Sequence, residues 1–167
     1  MAKPYQHATK ICLVLTCLAV IGVLWGLNVQ NPLITMIFLL PTVIYEVYRT
    51  EGASTKSAAW GLLAVYILEI VFILGNISFD LAGFLETEQQ YVGGHAVPLG
   101  DIKIVAPTAM AALSAVLFTR TRGRYTKWLA VIIFISSFAI VYALDPTVFD
   151  RLIKIGVKEG LRKIQYL

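Results

Sequence analysis

Residues 58–75 read AAWGLLAVYILEIVFILG, and this stretch decides the fold class. Apart from the hydroxyl of Tyr66, its one strongly polar side chain is the carboxylate of Glu69. An uninterrupted apolar run of this length matches the roughly 20 residues that a helix needs to cross a bilayer. A carboxylate near its middle costs roughly 2.5–3.5 kcal/mol on insertion scales, so Glu69 calls for a specific reason.

Outward from this run the same pattern repeats. Apolar segments cover 11–27, 33–48, 102–119 and 128–144, and the run around Glu69 extends over 57–76. The 167-residue chain is 58% hydrophobic and 14% charged. Soluble domains are typically about 45–50% apolar and about 25% charged, so the excess belongs to membrane spans. The expectation is an all-α membrane protein: a five-helix transmembrane bundle over 1–146 followed by a C-terminal amphipathic interfacial helix over 147–167. No second soluble domain fits.

The first span follows a short basic segment with Lys3 and Lys10 and lacks a small-x-small cleavage site, so it reads as a retained signal anchor. Asn28 to Pro32 forms a tight turn, and Pro32 suits the first turn of a helix. Pro41 is expected to kink the second span. Residues 49–56 read as a polar connector, and 77–100 as a long loop whose first part lies along the interface. Placing the N-terminus in the cytoplasm puts Lys3, Lys10, Arg49, Lys56, Arg120, Arg122, Arg124 and Lys127 inside, against Lys103 outside. That bias follows the positive-inside rule and turns the acidic loop 77–100 outward. In the tail, Phe149, Ile153, Val157, Gly160, Ile164 and Leu167 alternate with Arg151, Lys154, Lys158 and Arg162 at helical spacing, which describes a cationic surface helix. Five crossings leave that tail outside; a re-entrant fifth run would leave it inside.

The net charge of +4 does not point to nucleic acid, because the basic residues flank apolar runs and meet lipid head groups there. Cys12 and Cys17 share a span at a spacing too wide for a disulfide, and carry no metal-ligand pattern. Asp80, Glu86, Glu88, His95 and Asp101 offer oxygen ligands that a divalent cation could use, but no spacing matches a metal site, so they read as a solvated acidic loop; the sequence leaves any cofactor unidentified.

On a helix, Tyr66 and Asn76 share the face of Glu69. Two readings stay open: a proton- or cation-handling site, or a hydrogen-bonded glutamate that ties helices together. Glu46, three residues before Arg49, reads as an interfacial ion pair or as the mouth of a path that contains Glu69. Gly22 with Gly26, and Ala111 with Ala115, are small-xxx-small pairs suited to helix packing. Ser136 and Ser137 can bond back to their own helix. Arg120, Arg122, Arg124 and Lys127 read as a topology anchor in contact with anionic lipid.

No phosphate loop, metalloprotease or nucleophile-elbow motif is present. The leading expectation is a non-catalytic subunit or accessory factor of a membrane assembly, in contact with lipid and with other subunits or its own copies. A small carrier using Glu69 is second, and an enzyme on lipid or isoprenoid substrates third.

Overall fold

In the computed structural model, which describes residues 7–75, 89–92, 95–98 and 102–147, the first helix α1 (Ala8–Val29) stops where Gln30 takes a left-handed φ of 52°. Asn31 caps the next helix through Oδ1, which accepts from the Leu33 N–H at 3.0 Å. Pro32 occupies its first turn, where a missing N–H leaves nothing unsatisfied. This helix, α2 (Pro32–Arg49), runs through Pro41 to a cap at Thr50. Gly52, at a φ of 105° that L side chains resist, turns the chain into α3 (Ala53–Leu74). Two further helices, α4 (Ile102–Arg120) and α5 (Arg124–Leu144), are joined by residues 121–123.

All five helices are long and apolar enough to cross a membrane, which fits a multi-pass membrane protein. The third begins earlier than its expected span of 57–76, so the connector shrinks to residues 50–52. Glu69 therefore stands in the last third of its helix rather than near the middle. Within the expected loop 77–100, β1 (Gln89–Val92) and β2 (His95–Pro98) pair antiparallel, with Gln89 opposite Pro98 and Val92 opposite His95. Asn76, Asp80, Glu86, Glu88, Asp101 and the expected tail helix from residue 148 onward lie outside the described residues.

Consecutive helices run antiparallel. The Thr9 and Tyr125 hydroxyls meet at 2.8 Å, and Arg120 Nη1 donates to Ser54 Oγ at 3.2 Å. These bonds gather the start of α1, the end of α2, the start of α3, the end of α4 and the start of α5 at one end, here called the basic end. α2 packs against α1, α3 and α5; α4 packs against α3 and α5; α1 also meets α5. Leu24, Ile37, Leu74 and Ile135 point outward and are exposed, as lipid-facing positions require.

Apolar contact alone gives helices little reason to associate in lipid, so close approach and polar bonds carry the packing. Gly22 and Gly26 are buried and face α2: a Cβ on Gly22 would overlap Phe38, and one on Gly26 would overlap the Thr35 side chain. Thr35 Oγ1 donates to the Gly22 carbonyl at 3.2 Å across this contact. Ala111 is buried, whereas Ala115 is exposed on the outer face of α4.

Candidate functional site

The inward stripe of α2 carries the polar interior of the basic end. Thr35, Leu39, Thr42, Glu46 and Arg49 recur at spacings of four, three, four and three, and all are buried. Glu46 is 0% exposed. Thr50 Oγ1 donates to the Glu46 backbone oxygen at 2.8 Å and to its Oε1 at 3.2 Å. Among the described residues, Glu46 Oε2 and Thr42 Oγ1, one turn deeper, have no hydrogen-bond partner.

Arg49 lies within electrostatic reach of Glu46. Its Nη1 donates to the Tyr45 hydroxyl at 3.2 Å, and its guanidinium stands 4.9 Å from the centre of the Tyr125 ring. Cys12 of α1 is buried within reach of both charges, and Leu15 and Leu129 pack against it. Both residues of the expected interfacial pair thus face the interior: Glu46 is fully buried and Arg49 is only 9% exposed, where α1 and α5 close over the end of α2.

Glu69 belongs to a different neighbourhood. With Ala59, Leu62 and Tyr66 it forms the buried face of α3. The Tyr66 hydroxyl donates to the Met36 carbonyl of α2. By helical rise, Glu69 sits about 24 Å from the basic end, and Lys103 of α4 sits about 26 Å from it. Lys103 falls at the start of α4 and is half-buried in register with the buried residues Ala106, Met110, Ser114 and Leu117.

The two carboxylates are therefore roughly 20 Å apart along the bundle. Between them, about 14 Å from the basic end, Leu39, Leu62, Met110 and Ile133 form a fully buried apolar layer. Glu69 and Tyr66 are brought together; Glu46 is not brought to them. Ser137 donates to the Ile133 carbonyl and Ser114 to the Ala111 carbonyl, each at 2.8 Å, so both hydroxyls are spent on their own helices.

No family model matches this chain, and neither curated proteins nor solved structures yield a match. The chemistry is therefore read from the residues alone. No group of three His, Cys, Asp or Glu gathers for a metal among the described residues. The arrangement offers two buried carboxyls with different surroundings, each able to accept a proton or anchor a charge. At the basic end, Arg122 and Arg124 are exposed, Arg120 reaches Ser54, and the Lys127 amine lies 5.5 Å from the Phe118 ring centre.

The sequence reading paired Arg49 with Glu46 only as an interfacial ion pair and passed over Thr42, Tyr125 and Cys12 as site members. A signal existed for Arg49 and Thr42. Thr35, Thr42, Glu46 and Arg49 share one helical stripe with Leu39, and a stripe that carries this much polarity on a span belongs inside the bundle.

Proposed function

We propose that the protein is an integral membrane subunit or accessory factor of a larger membrane assembly, inserted with its N-terminus and basic end in the cytoplasm. One observation carries this reading. Thr108, Ala112, Ala115 and Thr119 make an exposed stripe of small residues along α4, whose main packing among the described residues is on α3 and α5. Small residues allow another helix to approach closely. The pair at Gly22 and Gly26 is already used within the chain, which leaves the α4 stripe as the face for a partner. Arg120, Arg122, Arg124 and Lys127 would meet anionic head groups on the cytoplasmic side.

The test is native purification in mild detergent. A stoichiometric partner that is lost in an Ala112→Leu/Ala115→Leu variant supports the reading. A lone monodisperse chain from its native membrane overturns it. A reporter fused after residue 75 should read outside; a cytoplasmic signal would refute the orientation.

A second reading is favoured by complete burial of Glu69: a small proton- or ion-coupled carrier. It predicts that Glu69→Gln abolishes pH-dependent flux in proteoliposomes while the fold survives. Unchanged flux would sink it.

A further inference from the structure

Glu46 is the buried charged group whose geometry is most completely defined. It is 0% exposed, one carboxyl oxygen takes a single bond of 3.2 Å from Thr50, and Oε2 has no protein hydrogen-bond partner among the described residues. A buried carboxyl oxygen left in this way is costly, so it should exchange with something small. Arg49 is held from two sides, by the Tyr45 hydroxyl and by the Tyr125 ring, and the Tyr125 hydroxyl is itself in hydrogen-bond contact with Thr9. The positive charge beside Glu46 is therefore fixed in place by residues from two helices.

We infer that the basic end of the bundle holds a proton-binding site, in which the Glu46 carboxyl takes up a proton from water at that end and returns it there. The step is simple in its balance. An O–H bond forms at Glu46 Oε2, a hydronium becomes water, and the carboxylate loses its charge. The Arg49 guanidinium takes no part in the step. The site passes from a compensated pair to one positive charge. Thr50 couples this change to the α2–α3 turn, because it caps α2 through the same residue.

A metal cation suits the site poorly. Hard cations such as calcium take about six to eight oxygen ligands, and here the Glu46 carboxyl with the Thr50 hydroxyl beside it supplies far fewer. The Arg49 charge would repel a second cation. A proton needs one oxygen. Access is short as well: Glu46 lies about 5 Å from the end of α2, on the near side of the apolar layer.

Other titratable groups on the surrounding elements are few among the described residues. On α1 they are the buried Cys12 and the exposed Lys10, with exposed His7 just before the helix. On α2 they are Tyr45, Tyr48 and Arg49. On α3 the basic end offers exposed Lys56. On α5 it offers Tyr125, exposed Arg124 and half-buried Lys127. The α2–α3 turn adds the exposed Glu51, and among the described residues these helices bring no second buried carboxylate to the basic end.

Infrared difference spectroscopy on the full chain in lipid nanodiscs tests the site through the buried carboxylic acid band as pH is varied. The expected result is a band that titrates, disappears in Glu46→Gln and persists in Glu69→Gln. Arg49→Gln should bind the proton about tenfold more tightly, a midpoint displaced by about one pH unit. Replacing sodium with choline at constant ionic strength should leave the midpoint in place. A titrating band left unchanged by Glu46→Gln, a wild type with no such band, or a sodium-dependent midpoint overturns the proposal. Should Glu46→Gln fail to fold, Glu46→Asp and Arg49→Gln decide the matter: unmoved band and midpoint in both would refute it.

Discussion

The two ends of this bundle each bury a glutamate, and they do so differently. Glu46 sits on a helix that packs against three others, capped by Thr50 and within reach of an arginine that is itself clamped by aromatic groups. Glu69 sits on a helix that touches two others. One turn earlier on its face, Tyr66 bonds to the backbone of α2, and Lys103 lies at its level. At the basic end Glu46 and Arg49 are both buried, whereas at the far end Lys103, at the level of Glu69, is half-buried. Burial of a carboxyl is therefore not by itself the mark of a site. What distinguishes the two is how rigidly the surroundings fix the compensating charge.

The largest effect should come from breaking that compensation. Removing one member of a buried charge pair typically costs about 3–5 kcal/mol, while replacing both by apolar side chains is often neutral. Arg49→Met should therefore lower the thermal unfolding temperature in detergent steeply, and Glu46→Met/Arg49→Met should recover most of the loss. Equal destabilisation in the single and double variants would mean that Arg49 acts through Tyr45 and Tyr125 alone.

At the far end the same experiment should give a smaller number. A double-mutant cycle of Glu69→Gln with Lys103→Met is expected to yield a coupling of about 1 kcal/mol or less, as for partly exposed charges. A coupling as large as that at Arg49 would erase the distinction between the ends. Tyr66→Phe removes one interhelical hydrogen bond, and such bonds average about 0.6 kcal/mol in a membrane bundle. Its effect on unfolding should be correspondingly slight, with the fold retained.

Much of the architecture was legible because span length and apolarity are read directly from composition. The third boundary was misplaced because Ala53, Ser54 and Thr55 look like connector residues, and only the backbone of Gly52 marks where the helix starts. The ladder was missed although Gly93-Gly94 between two short segments is a recognised hairpin signal. Glu69 stood out because its neighbours in sequence are apolar. Glu46 did not, since a charge near the end of a span looks alike whether it faces lipid head groups or the interior. That choice was made by Cys12 and Tyr125, which are close in space and distant in sequence.

The smallest effect has an informative sign. Thr42 Oγ1 is buried one turn from Glu46 and has no hydrogen-bond partner among the described residues. Valine has nearly the same shape and no hydroxyl to desolvate, so Thr42→Val should leave stability unchanged or raise it by a few tenths of a kcal/mol. Unfolding in detergent measures this directly. A loss of about 1 kcal/mol or more would show that the hydroxyl is satisfied in the membrane, by water that reaches it past Glu46. The polar pocket of the basic end would then extend toward the apolar layer at Leu39, and the two ends would differ in depth as well as in charge.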